Sequence, residues 1–246
     1  MPFTKPIIVV TQARSGSNLL QGYLRDISGL AAFNEIFRTN NPMDIDRLAR
    51  TIDLPEGTLN QLYELQAKNL VVFWALFSQL LYAEGICPAA KIFYPHADRA
   101  DQIWNEFKKA KILHLIRENV LASVVSRQLA QRSEQWKSRK KSVSYDLEPI
   151  QIKRRDCEHH LADLKDNVNW VRQMYADADY TELSYDDLPN IDTAQKVLSA
   201  ALGCPVNLSK QQFSRQRARP LAEIVINYQE VKRFDRNFSI VERKSQ

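Results

Sequence analysis

The apolar run Pro6-Ile7-Ile8-Val9-Val10-Thr11 passes through Gln12-Ala13 into a polar loop, Arg14-Ser15-Gly16-Ser17-Asn18, and then into Leu19-Leu20. Continuous rather than alternating apolar character marks a strand buried on both faces of a parallel sheet. Leu19, Leu20, Tyr23, Leu24 and Ile27 then recur at helical spacing, and Gly29 closes the helix. A buried strand feeding a helix through so short a loop commits this part of the chain to an α/β arrangement. The loop also sets Arg14, two hydroxyls and the unsatisfied N–H groups of a helix N-terminus side by side, which makes an anion cradle. It is not a Walker A motif, because Ser17 and Asn18 follow Gly16 where that motif needs Lys, and no GxGxxG dinucleotide fingerprint occurs.

Strands and helices alternate along the rest of the chain. A long helix over 58–84 ends at Gly85, and 89–94 reads as a second strand. Ile103, Trp104 and Phe107 mark a helix over 98–110, followed by a third strand at 111–116. A helix over 118–132 carries Val120, Leu121, Val124, Val125 and Leu129 on its apolar face. A further helix over 154–178 leads into a fourth strand at 180–184, and a helix over 192–202 ends at Gly203. Leu221, Ile224, Tyr228 and Val231 mark a final helix. Residues 30–57 read as a long loop, and 133–150 as a polar, basic stretch holding Lys137, Arg139, Lys140 and Lys141. The expected architecture is a three-layer α/β/α, P-loop-like domain spanning 1–246, with a mainly parallel sheet of four or five strands. Such sheets bind ligands beyond the carboxyl ends of their strands. Arg14 and Arg117 both lie just past a strand, so both should face one crevice.

A net charge of +5 favours anionic ligands, and nucleotides, acidic glycans and nucleic acid would all satisfy it. The aromatic residues are scattered rather than interleaved with Lys and Arg, so nucleic acid is not expected. Cys87, Cys157 and Cys204 are far apart and odd in number, as free thiols of a reducing compartment are. Cys157-Glu158-His159-His160 falls in a helix where ligand geometry is awkward, and no metal is expected. The opening apolar run is too short for a signal peptide, and the longest, 70–77, is too short to span a bilayer. These features lead us to expect a cytoplasmic protein.

Two strand–Arg–helix units stand out, IIVVTQAR-SGSNLL and KILHLIR-ENVLASVVS. In the first, Arg14 can make a charge-assisted bond to a phosphate or sulfate oxygen, worth about 1.5–3 kcal/mol. The helix terminus adds only about 0.3–1 kcal/mol, so direct bonds outweigh the dipole. In the second, Arg117 leaves the strand and Ser126 follows nine residues on, with Ser123 as a nearby alternative. Either unit alone also reads as an ordinary βα turn with a solvated Arg.

This ordered set resembles the sulfotransferases that use 3′-phosphoadenosine 5′-phosphosulfate, above all the bacterial carbohydrate branch of trehalose and nodulation-factor sulfotransferases. Asn34-Glu35-Ile36-Phe37, Lys91-Ile92-Phe93 and Ser184-Tyr185-Asp186-Asp187-Leu188 agree with it, as do Arg217-Ala218-Arg219-Pro220 and Ile226-Asn227-Tyr228. The resemblance implies that Arg14, Ser15, Gly16, Ser17 and Asn18 hold the 5′-phosphosulfate, with Leu19 beginning the helix. The family loop often has Thr where this chain has Asn18. Arg117 and Ser126 would grip the 3′-phosphate, and Arg215, Arg217 and Arg219 would close over it. Glu35, flanked by Phe33 and Phe37, reads from the residues alone either as a surface glutamate or as a partly desolvated base. The resemblance favours the base. His96 is the alternative base, Lys91 a contact for the transferring group, and His114 a packed core histidine. The implied reaction is sulfuryl transfer to an acceptor hydroxyl, plausible on a carbohydrate or glycolipid, without a metal. The implied partners are a small-molecule or glycan acceptor and, in a homodimer, a second copy of the chain. A nucleotide kinase and a non-catalytic anion- or RNA-binding protein are the competing readings.

Overall fold

The computed structural model describes residues 3–38, 44–132, 148–209 and 219–241. Its apolar first strand is the middle of a parallel sheet. β1 (Ile7–Thr11) is flanked by β3 (Cys87–Phe93) and β4 (Lys111–Ile116), while β2 (Leu30–Phe33) pairs with β3 and β5 (Asp179–Ser184) with β4. The order among the described residues is β2-β3-β1-β4-β5, and every residue of β1 is buried. In chain order the helices are α1 (Ser17–Asp26), α2 (Ile45–Ala49), α3 (Thr58–Lys68), α4 (Leu70–Ala83) and α5 (Gln102–Glu106). They continue with α6 (Val120–Arg132), α7 (Arg154–Met174), α8 (Ile191–Leu202), α9 (Leu221–Ile224) and α10 (Tyr228–Val231).

The two faces of the sheet are covered differently. On one, Leu20 and Leu24 of α1 and Leu198 of α8 pack on Ile7, Val9 and Leu113. On the other, Leu62, Phe73, Phe77, Trp104 and Val171 cover Ile8, Val10, Ile92 and Ile112. Strand alternation explains the division, since odd and even positions of β1 point to opposite faces. A third cluster joins α6 to Cys157, Leu221, Ile224 and Val231 beyond the sheet. This is the expected α/β/α architecture.

The chain crosses from one side of β1 to the other between β3 and β4. After β1 the chain runs outward to β2, and after β4 it runs the opposite way to β5. The strand order therefore reverses between β1 and β4, and the crevice at such a switch point is where open α/β sheets take their ligands.

Several local expectations are corrected. Residues 30–57 are not one loop, because they hold β2 and α2. The strand is only four residues, two of them Ala, too short and too weakly β-forming to stand out, yet all four are buried against β3. The helix expected over 58–84 is two helices. They break at Asn69, whose backbone is extended and whose side chain accepts the Val72 N–H at 3.1 Å, capping α4. The helix expected over 98–110 shrinks to α5 plus a 3₁₀ turn, and the final helix to two single turns. No described helix is long and apolar enough to cross a membrane. The cysteines are free, and burial pushes the Cys87 and Cys157 thiols up to about 11.

His114, in the middle of β4, is a core histidine as expected. It is fully buried, with Tyr94 Oη 2.7 Å from Nε2 and Tyr180 Oη 2.6 Å from Nδ1. Tyr180 donates to Glu182 Oε1 at 2.7 Å, and Arg172 holds that carboxylate at 2.6 and 2.9 Å. Burial, the largest influence, pulls His114 down to about 3 and the buried His160 of α7 to about 4. Unfolded histidine titrates near 6.5, so below that pH the unfolded chain takes up protons that the folded chain declines. Stability is then fully present above about 7 and falls as pH drops towards 4. Urea titrations from pH 7.5 to 5 should show this loss, steepening towards about 1.4 kcal/mol per pH unit for each histidine. His114→Gln should flatten the slope by about one proton; a profile independent of pH would overturn the assignment.

Candidate active site

Arg14 follows β1 with a left-handed backbone, φ 68°, and Gly16 repeats that conformation at φ 86°. A non-glycine residue held there costs of order 1–3 kcal/mol, and such strain collects at functional loops. The loop is held from beneath: the Thr11 hydroxyl donates to the Leu115 carbonyl at 2.6 Å and lies 2.6 Å from Ser15 Oγ. The Gly16 carbonyl accepts from the N–H groups of Leu19 and Leu20 at 2.9 and 3.2 Å and starts α1. The N–H groups of Ser17 and Asn18, at the very start of that helix, have no carbonyl one turn back to bond, so they are available to an anion.

The second arginine meets this loop directly. Arg117 Nη1 donates to the Arg14 carbonyl at 2.9 Å, and Arg14 Nε donates to Ser126 Oγ at 2.9 Å. Arg14, Arg117 and Ser126 thus converge at the crevice between β1 and β4. Ser123, by contrast, is buried and donates to the Asn119 carbonyl of its own helix at 3.1 Å. Burial lowers the Arg14 pKa, and Tyr185 nearby partly offsets this.

On the other side of the loop stands a buried cation. Lys91, on β3, is 1% exposed and donates to Asn18 Oδ1 at 3.1 Å and Ser17 Oγ at 3.4 Å. Its ammonium is also 3.7 Å from Glu35 Oε1. Glu35 follows β2 and has Arg38 at 3.7 Å from its other oxygen. Its position is fixed by its neighbours. Asn34 donates its N–H and its side-chain amide to Asp44 at 3.0 and 2.6 Å, and its carbonyl accepts from the Lys91 N–H at 3.2 Å. Gln66 donates to the carbonyls of Ile36 and Arg38 at 3.1 and 3.0 Å. Phe33 and Phe37 turn into the core, where they meet Phe77, Phe73, Trp74 and Phe107. What surrounds the carboxylate is therefore cationic rather than aromatic.

His96 receives the Phe93 N–H on Nδ1 at 3.4 Å. Burial, the largest influence, lowers its pKa to about 4, with Lys91 and Arg38 adding to the effect and Glu35 opposing it. It is neutral at pH 7, and its basicity is far from the value that suits a general base there. Arg215, Arg217 and Lys137–Lys141 lie outside the described residues, and Arg219 is half-buried beside α9. Among the described residues, no group of three or more His, Cys, Asp or Glu is arranged to hold a metal ion.

Tyr185 stands between the two arginines. Its ring occupies the space beside Gly16, where an added Cβ would lie 2.3 Å from Cδ2, and the Arg117 guanidinium stands 4.5 Å from its centroid. Glu118 braces the turn after β4. Its buried carboxylate accepts the N–H groups of Ile240 and Val241 at 2.6 and 3.1 Å and the Ser184 hydroxyl at 3.4 Å. Neither role has a sequence signal, because each depends on segments far apart along the chain.

Comparison with known proteins supports the architecture. A sulfotransferase domain from the Synechococcus PCC 7002 olefin synthase superposes with a TM-score of 0.54 at 14% identity, covering 92% of this chain and 82% of its own. A sulfotransferase from Alicyclobacillus acidocaldarius gives 0.48 at 15% identity, covering 90% of each chain. The first likeness is one of fold. No match is found among curated protein sequences. The family model described as Stf0 sulphotransferase matches residues 6–212, most of the chain. That span takes in the arginine loop, Glu35, Lys91 and the Arg117–Ser126 unit, and the chain accordingly belongs to the Stf0 sulphotransferase family.

Proposed function

We propose that this sulfotransferase takes its sulfuryl group from 3′-phosphoadenosine 5′-phosphosulfate and delivers it to a hydroxyl of a carbohydrate or glycolipid, with Glu35 as general base. The observation that carries the reading is the meeting of two arginine-bearing strand ends at one switch point, joined through the 2.9 Å bonds from Arg117 to the Arg14 carbonyl and from Arg14 to Ser126. A donor with anionic groups at both 3′ and 5′ positions fits two such subsites. The cradle supports the reading as well: Gly16 has no side chain, which lets the Tyr185 ring pack against the loop that turns into α1.

In this reading Arg14, Ser15, Gly16, Ser17 and Asn18 hold the 5′ end, and Arg117 and Ser126 the 3′-phosphate. The donor supplies a sulfuryl group on a phosphate leaving group, which needs cationic stabilisation rather than a proton. Arg14 and Lys91 answer that need, since transfers of this loose kind are catalysed mainly by positioning and by donors aimed at spread oxygen charge. Glu35 takes the proton of the acceptor hydroxyl. Its 3.7 Å contact with Lys91 sets the base at the end of the cradle where transfer would occur. Arg215, Arg217 and Arg219 are assigned to the 3′-phosphate by family resemblance. The free thiols of Cys87, Cys157 and Cys204 suit a reducing, cytoplasmic setting.

Thermal shift and calorimetry test the donor. 3′-Phosphoadenosine 5′-phosphate should stabilise the protein more than adenosine 5′-phosphate, ATP–Mg²⁺ or an oligonucleotide. Arg117→Ala should weaken the bisphosphate by about 10- to 100-fold, the range expected of one lost charge-assisted bond, and leave adenosine 5′-phosphate little changed. Equal weakening of both would remove Arg117 from the 3′-phosphate. Preference for ATP–Mg²⁺ would favour a kinase, and preference for the oligonucleotide a nucleic-acid binder.

A further inference from the structure

Tyr185 touches both anion subsites without belonging to either. The sheet register puts it there: Ile116 pairs with Ser184, so the next residues of β4 and β5, Arg117 and Tyr185, leave the sheet side by side. Arg117 lies over the ring at 4.5 Å, within the range of a cation–π contact, while the same ring closes the space beside Gly16. The turn that carries it is pinned from several directions. Ser184 donates to Glu118, the residue after Arg117, at 3.4 Å and accepts the Asp186 N–H at 3.3 Å. Asn237 donates to Asp186 at 2.5 Å, and the Tyr23 hydroxyl of α1 donates to the Leu188 carbonyl at 3.0 Å. A turn tied in this way sets where the ring stands beside Arg117. Both contacts are made by the ring rather than the hydroxyl.

We propose that Tyr185 is the positioning residue that couples the two subsites: its ring orients the Arg117 guanidinium against the Arg14 carbonyl, so that recognition of the 3′-phosphate depends on an aromatic face at this position. The inference rests on the assignment of Arg117 to the 3′-phosphate made above. A purely structural tyrosine would affect all nucleotides alike. A positioning one changes the ratio of affinities for nucleotides with and without that phosphate.

Calorimetric titration of the full chain with 3′-phosphoadenosine 5′-phosphate and with adenosine 5′-phosphate reads this ratio. Tyr185→Phe keeps the ring and should leave the ratio as it is in the native protein. Tyr185→Leu should reduce it by roughly tenfold, the scale of a partly desolvated cation–π contact. Should the Leu variant fail to fold, Tyr185→Met fills similar space without a π face and should give the same reduction. A native protein that does not distinguish the two nucleotides overturns the Arg117 assignment itself. A native ratio that persists in the Leu or Met variant, whether or not both affinities fall equally, overturns only the role of Tyr185.

Discussion

Glu35→Gln is expected to cut turnover by about 10²–10⁴-fold while binding of 3′-phosphoadenosine 5′-phosphate stays at its native level. The substitution preserves shape and removes only the ability to accept a proton. Lys91 then loses the carboxylate 3.7 Å away but keeps Asn18 and Ser17, so its buried ammonium is not left alone. A modest fall in melting temperature should accompany the change, because a buried charge has lost its counter-charge. Turnover is read as release of the bisphosphate in the presence of a disaccharide panel. Normal turnover in the Gln variant would exclude Glu35 as the base. Loss of bisphosphate binding together with activity would make it a structural partner of Lys91 instead.

Gly16→Ala should abolish donor binding and destabilise the fold together. The new methyl group would stand 2.3 and 2.4 Å from Cδ2 and Cε2 of Tyr185, well inside contact distance. At φ 86° a side chain also adds about 1–2 kcal/mol of backbone strain. Tyr185 has little freedom to retreat, since its turn is tied to Glu118, Asn237 and Tyr23. Overpacking of this kind costs typically 1–3 kcal/mol where neighbours can shift, so the melting temperature should fall by several degrees. Calorimetry with the bisphosphate and a thermal melt check both expectations. An alanine variant with native affinity would mean that the loop does not close around its ligand at this glycine.

The reach of the sequence differed between the two halves of the site. The arginine loop and the Arg117 unit are local patterns in which strand, turn and helix follow one another within a dozen residues. Their convergence needed only the rule that parallel strands present their carboxyl ends to one crevice. Lys91 and Glu35 were legible as chemistry but not as a pair, because their meeting depends on the pairing of β2 with β3, and β2 was too short to be read. The expectation that Phe33 and Phe37 desolvate Glu35 was misplaced for the same reason: once residues 30–33 form a strand, those rings belong to the core. Tyr185 sits in the family-like segment Ser184–Leu188, but its contact with Arg117, like that of Glu118 with Ser184, joins residues more than sixty positions apart and has no local pattern.

The reversal of strand order beside β1 separates what this protein inherits from what it can vary. The proposed donor contacts arise from the ends of β1 and β4, two central strands that the whole sheet must keep in register. Glu35 follows β2, which among the described residues lies at the edge of the sheet beside β3. Changes at the rim can therefore accumulate without disturbing the centre. Changing the rim while keeping Glu35 and its contact with Lys91 is a route to a new acceptor with the donor machinery left whole.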